Sequence, residues 1–359
     1  MIKKDLPTLS PLLPTTTALP EGLLEDLRQV IDQARRFIAS TVNVGLTMSF
    51  WRVGSRVQKE ILQGERAEYG REIVVTLSRQ LALDYGNSFQ EKNLRRMVQF
   101  VEVFPDEQIV VTLSRQLTWS HFVALIPIKD SIKRDFYAEM CRIEKWNVRT
   151  LRGKIDSMLY ERTALSKRPE LVARAELDAL RKEDQLTPDL VFRDPYFLQF
   201  VKLTDRYFEK DLEDAIMREL EQFLLELGVG FCFVARQKRI IIDDEDFHID
   251  LLFFHRGLNR LVVIELKLGD FKPEYKGQME LYLRWLDKHE RTAGEESPMG
   301  LILCAGKKQE RIELLELGKA GIHVAEYLTA LPSREVLREK LQQAIAHARH
   351  RLDDGTSRT

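Results

Sequence analysis

The sequence predicts a two-domain α+β chain, with an all-helical N-terminal half followed by an α/β domain on a mixed central sheet. Three observations predict it. Apolar residues recur at helical spacing from Leu23 to about Tyr160. Past Pro188 the pattern changes to short apolar runs bounded by turn residues and interleaved with helices. The length of 359 residues is enough to bury two cores.

Residues 1–20 place Pro7, Pro11, Pro14 and Pro20 around a Thr15-Thr16-Thr17 run, the composition of a disordered lead-in. The helical domain is read over 21–165. Leu23, Leu24, Leu27, Val30, Ile31 and Ala34 share one face of its first helix. A second is expected from Val42 to Leu62, with Leu46, Phe50, Val53, Val57 and Ile61 inward and with Gly64 and Gly70 marking its end. The octet Val74–Leu81 recurs letter for letter as Val110–Leu117. The flanks do not match, so the echo is read as two similar short helices and not as an array.

Between the copies, Gly86 makes a turn, Ser88 is placed to cap a helix, and Glu91 completes a capping box. Lys92, Asn93, Arg95 and Arg96 fall in the first turns of that helix. The pattern resembles a helix-turn-helix unit, in which the second helix enters a major groove. The plainer alternative is a capped surface helix with solvated charges. From Asn43 to Leu165 there are 19 Lys and Arg against 15 Asp and Glu, a mildly basic balance that permits phosphate contacts. Trp119 is read as core packing before base stacking, and His121 has no carboxylate neighbour in sequence and is not assigned to catalysis. Helices continue from Ile132 to Tyr160, with a turn at Trp146–Arg149. Residues 166–187 form a charged connector in which Leu171, Ala175, Leu177 and Leu180 mark a helix.

The second domain is read over 188–352. Asp194-Pro195 opens what reads as a capped helix reaching Phe200, and a longer helix covers Phe208–Leu227 before Gly228 and Gly230. Strands are expected at Phe231–Ala235, Lys238–Ile242, Phe247–Phe254 and Leu261–Ile264. The acidic run Asp243–Asp246 is a solvated turn, since it lacks the ligand spacing and glycine of a calcium loop. A helix opens near Pro273. Strand Gly300–Ala305, helix Ile312–Leu317, strand Val324–Leu328 and a Ser333-capped helix to Leu352 follow, and 353–359 is a polar tail.

The net charge of −1 leaves any nucleic-acid surface to local segregation of charge. Cys141, Cys232 and Cys304 are far apart and show no metal-ligand spacing, which suits reduced thiols in a cytoplasmic protein. The apolar runs fall well short of the roughly 20 residues of a membrane span, so no membrane partner is expected.

The chemistry is concentrated in two strands. Asp250 interrupts the apolar run Phe247–Phe254, and Glu265 and Lys267 end the run that starts at Leu261. Buried strands exclude charges unless they are paired or functional. Residues two apart share a strand face, so Glu265 and Lys267 point the same way, and pairing of the strands brings Asp250 towards them. Asp250 and Glu265 offer the hard oxygens that Mg2+ or Mn2+ prefers, and the Leu266 carbonyl is a possible third ligand. The bland alternative is an ion-pair network at a sheet edge. His248 shares the face of Asp250 and is read as a solvated neighbour.

Asp250 followed by Glu265-Leu266-Lys267 resembles the PD-(D/E)xK nuclease superfamily, with Ile249 where the name has Pro. Gln278 and Tyr282, four apart on one helical face, resemble the Q-x-x-x-Y element of its exonuclease-like members. Phe223–Gly228, Arg236-Gln237, Glu265–Gly269 and Pro273–Met279 together resemble the YhcG-like family of bacterial nucleases, over roughly Asn43 to Pro332. The resemblance implies a restriction-endonuclease-like fold and a magnesium- or manganese-dependent phosphodiester hydrolase, acting on DNA more than RNA. It implies that Lys267 sits beside the attacking water or the phosphate and that Gln278 and Tyr282 hold water or the strand backbone. It also implies a carboxylate from the preceding helix; Glu213 is the choice, with Glu219 and Glu221 as rivals. Arg236 and Gln237 are read as phosphate contacts, or else as surface residues at a strand end. A second copy of the chain, or a partner protein of a restriction or defence system, is also expected. Two other functions stay open: a non-catalytic binding or assembly subunit on a nuclease scaffold, and an RNA-directed nuclease.

Overall fold

The computed structural model describes residues 40–59, 67–201 and 208–356. The expected lead-in, the helix starting at Leu23 and the break at Gly64 lie outside these residues. The helical half contains α1 (40–59), α2 (Ala67–Tyr85), α3 (Glu91–Val103), α4 (Glu107–Ser114), α5 (Trp119–Leu125), α6 (Ser131–Glu144), α7 (Val148–Asp156), α8 (Leu159–Arg162) and α9 (Glu170–Glu183). Its core is rich in aromatics: Phe100, Phe122, Phe136 and Tyr137 are fully buried beside Leu125 and Leu151. Side-chain caps set several helix starts, as Asp106, Asp130 and Asn147 accept backbone N–H groups of α4, α6 and α7. Gly54 lets α1 cross α3 closely, since a Cβ there would lie 2.0 Å from the Met97 carbonyl oxygen.

Several local expectations are corrected here. Gly70 lies inside α2 and breaks nothing. The first copy of the repeated octet lies within the 19-residue α2, whereas the second outruns the eight-residue α4, because Thr118 begins the capping box of α5. Ser88 caps no helix: it sits in a 3-10 turn at Asn87–Phe89, and α3 starts after Gln90 without a side-chain cap. Helix α9 is no free connector. It buries Ala173, Leu177 and Leu180 in the helical core, while Leu171 stays exposed. Arg181 of α9 and Arg142 of α6 both bind the fully buried Glu139 carboxylate, which fixes the packing of α9 on α6.

The second half contains α10 (Pro188–Val191), β1 (Tyr196–Phe197), α11 (Glu209–Arg218), α12 (Leu220–Leu227), β2 (Phe231–Ile242), β3 (Glu245–His255), β4 (Arg260–Asp270), α13 (Glu274–His289), β5 (Met299–Gly306), α14 (Gln309–Leu314), β6 (Ile322–Leu328) and α15 (Arg334–Thr356). The sheet is mixed, in the order β1-β6-β5-β4-β3-β2. β2, β3 and β4 form an antiparallel meander, and β4, β5, β6 and β1 run parallel. One face packs Leu212, Ile216 and Phe223 of α11 and α12 on Leu251, Ile264 and Leu266. The other packs Met279, Tyr282 and Leu286 of α13 on Ile249, Val263 and Ile302. Gly300 makes room for this second layer, because a Cβ there would meet the Met279 sulfur at 2.4 Å.

Three further differences have physical causes. Asp194-Pro195 leads into a strand and not a helix, because the Asp194 carboxylate is taken by Lys167, Lys307 and the Glu326 N–H while Tyr196 and Phe197 pair with Tyr327 and Leu328. The expected strands at Phe231–Ala235 and Lys238–Ile242 are one strand with a register shift between Phe233 and Ala235. The helix expected over Phe208–Leu227 is interrupted at Glu219, and α15 continues past Leu352 to Thr356.

The halves meet at Arg162. Its guanidinium is 1% exposed, donates to the Pro195 carbonyl at 3.0 Å, pairs with Glu226 of α12 and lies 3.8 Å from the Phe197 ring centroid.

Candidate active site

The β3–β4 ladder ends at Leu251 opposite Ile264. Beyond that pair, side chains replace the main-chain pairing. The Asp250 N–H donates to Glu265 Oε1 at 3.2 Å, and the Leu266 N–H donates to Asp250 Oδ2 at 2.9 Å. The two carboxylates thus stand at the fork of an opened hairpin. Lys267, one strand repeat from Glu265 on the same face, donates its ammonium to Glu265 Oε2 at 3.2 Å and lies 5.4 Å from the Tyr275 ring centroid. Glu265 and Lys267 are 3% and 8% exposed, so their charges are felt in a weakly screened setting.

Helix α11 adds a third carboxylate. Glu213, 5% exposed, accepts from Gln237 Nε2 at 2.6 Å, and the same amide donates to Asp250 Oδ1 at 3.1 Å. Arg236 pairs with Glu213 and with Asp214. On the opposite face, Gln278 donates to the Tyr282 hydroxyl at 2.7 Å, and that hydroxyl donates to the His248 carbonyl at 3.3 Å.

Burial pushes the Asp250 carboxyl above its usual range, against the Leu266 N–H and Lys267. Burial, with the Asp250 charge added, pushes Glu265 up to about 7. Burial opposes the charge on Lys267, but Glu265, Asp250 and Glu209 outweigh it and raise the ammonium above its ordinary value. The buried acids of the site thus hold their charge at a cost that its one lysine only partly offsets. That condition and its hard oxygen donors fit a divalent cation held by Asp250 and Glu265. Among the described residues, no group of three or more His, Cys, Asp or Glu side chains converges on one metal position. Two carboxylates are a donor set that suits a hard divalent cation.

Two family models match the chain: the YhcG PDDEXK nuclease domain at residues 189–344 and the DUF1016 N-terminal domain at residues 26–162. The chain is also 33% identical to "Putative nuclease YhcG" of Escherichia coli (strain K12), over 92% of this chain and 96% of that one. The chain belongs to the YhcG family of PDDEXK nucleases. Among solved structures, a repair endonuclease from Pyrococcus abyssi is 22% identical at a TM-score of 0.25, over 34% of this chain and 49% of that one. The EndoMS–dsDNA complex is 19% identical at a TM-score of 0.26, over 36% and 50%. The chain thus spans about half the length of these solved structures.

In this YhcG-family chain the fold brings Asp250, Glu265, Lys267, Glu213 and Gln237 into one hydrogen-bonded cluster, with Gln278 and Tyr282 behind it. Glu219 and Glu221 are exposed at the break between α11 and α12, away from this contact set. Arg236 and Gln237 lie in mid-strand, not at a strand end, and their side-chain donors face carboxylates. The Leu266 side chain packs in the apolar core while its N–H serves Asp250. Lys92, Asn93, Arg95 and Arg96 lie on α3 in the helical half, where Arg95 pairs with Glu91 and Arg96 donates to Asn93. His121 bonds Thr118 and the Trp146 carbonyl, and Trp119 packs on Phe50 and Phe100. Sequence reasoning missed Glu209. It accepts the Leu268 N–H at 3.4 Å, and its charge acts on Asp250 and Lys267. The available signal was its place one helical turn before Glu213.

Proposed function

We propose that this chain is a divalent-cation-dependent nuclease that hydrolyses phosphodiester bonds in DNA, with Mg2+ or Mn2+ as its cofactor. The reading is carried by the opened β3–β4 fork, where Asp250, Glu265 and Lys267 converge in a buried setting. Asp250 and Glu265 would hold a cation that would supply positive charge to the scissile phosphate and acidify the attacking water. Lys267, kept protonated by its acidic neighbours, holds a non-bridging phosphate oxygen and balances the negative charge that builds on the phosphoryl oxygens. Burial and the Asp250 charge raise the Glu265 carboxyl, and a bound cation would hold it as the carboxylate, so its part is to carry the ion. Tyr282, fixed by Gln278 and the His248 carbonyl, orients the substrate backbone.

The division we infer assigns cutting to residues 188–352 and nucleic-acid positioning to residues 21–165, with 166–187 between them and 353–359 as a tail. Lys92, Asn93, Arg95 and Arg96 on α3 behind the Gly86 turn are the proposed DNA contacts, supported by the α2–turn–α3 arrangement. Exposed Leu83 and Tyr85 at the end of α2 favour a second role for this unit, docking a protein partner or a second copy. A cytoplasmic setting is supported by three free thiols, Cys141, Cys232 and Cys304. Among the described residues no helix is long and apolar enough to cross a membrane.

The test is cleavage of circular and linear duplex DNA, single-stranded DNA and RNA with Mg2+, Mn2+ or chelator, beside Asp250→Asn and Lys267→Ala. The reading expects DNA cutting that chelator and either substitution abolish. Cutting that persists in both variants would overturn the assignment of the site, and RNA cut in preference to DNA would overturn the substrate.

A further inference from the structure

Arg236 and Gln237 are neighbours in sequence, yet both donate to the Glu213 carboxylate. A regular strand sends adjacent side chains to opposite faces. The exception arises at Gln237, whose φ of 46° lies in the left-handed region that a non-glycine residue seldom occupies. Its strand neighbours pair with Leu251 and Ile249, so the twist sits directly opposite Asp250. The consequence is geometric. One carboxamide nitrogen reaches Glu213 Oε2 at 2.6 Å and Asp250 Oδ1 at 3.1 Å. Backbone strain held beside a charged cluster is retained where the side chain it aims has work to do. A carboxamide suits that work, since it donates to two anions without bringing a charge that would compete with a cation.

We propose that Gln237 is a positioning residue that fixes Glu213 and Asp250 at one separation and thereby sets the divalent-cation affinity of the fork. The inference rests on the cation-dependent reading of the site. It reassigns Gln237 from the nucleic acid to the acids themselves. Arg236 complements it by holding the other Glu213 oxygen together with Asp214, so that the α11 carboxylate is fixed at both ends.

The test is Mn2+ binding to the full-length, substrate-free protein, followed by the paramagnetic resonance of free Mn2+, with melting temperatures measured in chelator. The proteins compared are wild type, Gln237→Gly, Gln237→Ala and Asp250→Asn. Glycine takes a positive φ without a Cβ penalty, so Gln237→Gly is expected to melt at or above wild type. Both Gln237 variants are expected to weaken Mn2+ binding by about tenfold or more, the usual effect of losing an outer partner of a metal ligand. Affinity within about twofold of wild type in both, while Asp250→Asn loses the ion, would overturn the inference and leave the cation reading standing. Affinity loss that tracks a fall in melting temperature in both variants would also overturn it, since Gln237 would then be a structural residue. Wild type that binds no Mn2+, or binds it as Asp250→Asn does, would overturn the cation reading and this inference with it.

Discussion

The backbone N–H of Asp250 donates to the Glu265 carboxylate at 3.2 Å, while the Asp250 carboxylate accepts the N–H of Leu266, the residue after Glu265, at 2.9 Å. Each acid thus satisfies a main-chain donor that the opened ladder leaves over, and each is held in place by the other's strand. Asp250→Asn keeps an oxygen for the Leu266 N–H and removes the charge. The expected outcome is a folded protein whose cleavage rate falls by at least about 1,000-fold, the scale of several kcal/mol of lost charge stabilisation. Circular dichroism and single-turnover cleavage check the two halves of this expectation, and an active variant would remove Asp250 from the chemistry.

The raised Glu265 carboxyl makes a pH-dependent stability. Its folded value of about 7 exceeds the ordinary 4.5, so between these values the folded protein holds a proton that the unfolded chain has released. The contribution of Glu265 to stability is therefore greatest below about 4.5 and declines as pH rises through about 7. The full amplitude is roughly 3 kcal/mol. Urea unfolding in chelator at a series of pH values should show this decline in wild type and a flatter profile in Glu265→Gln. Added Mg2+ should restore stability on the alkaline side. An unchanged slope in Glu265→Gln would show that Glu265 titrates normally.

Tyr282 links α13 to β3 through its hydroxyl, which accepts from Gln278 and donates to the His248 carbonyl. Tyr282→Phe keeps the buried ring and removes only that oxygen. Stability should fall by about 1 kcal/mol, the net worth of a typical hydrogen bond. Cleavage should fall more than stability predicts, by about tenfold or more, if the hydroxyl orients substrate as proposed. Parallel melting and kinetic measurements on the same preparation separate the two effects.

On α3, Lys92 is exposed, and Arg96 donates to Asn93 on the same helix. The double variant Lys92→Ala/Arg96→Ala should weaken duplex binding at low salt and lower the log–log salt slope by about 2, with little dependence on base sequence. Fluorescence anisotropy across a salt series measures this. A slope equal to that of wild type would move the nucleic-acid contact away from α3.

What was legible in the sequence was the part written in local periodicity. The strands carrying Asp250 and Glu265, the turn between them and the helix placing Gln278 over Tyr282 each follow from spacing within a dozen residues. Contacts across long sequence separations were not legible. Asp194 looks like a helix cap, but its oxygens are taken by Lys167, Lys307 and the Glu326 N–H, so the segment pairs as β1. Arg236 has the chemistry of a phosphate ligand, and only the fold reveals Glu213 and Asp214 beside it. Gln237 and Glu209 were hard to place for a related reason. A positive φ in mid-strand and a carboxylate one turn earlier on α11 depend on how the strand and the helix meet.

Arg162 makes the last prediction, because it joins the two halves through groups on both. Its buried guanidinium serves the Pro195 carbonyl, the Glu226 carboxylate and the Phe197 ring, and Glu226 in turn accepts the Phe197 N–H at 2.9 Å. Removing one member of a buried pair costs more than the pair contributes, since the remaining charge keeps its desolvation penalty. Arg162→Ala should therefore destabilise the protein by about 3–5 kcal/mol. Arg193, itself buried, also pairs with Glu226 at 3.6 Å, so the double variant Arg162→Met/Glu226→Gln strands that guanidinium and should melt no higher than Arg162→Ala. If Arg162 only supports the helical core, Arg162→Ala should melt in a single, lower transition. If it couples the halves, Arg162→Ala should also split the thermal transition in two, which differential scanning calorimetry would resolve.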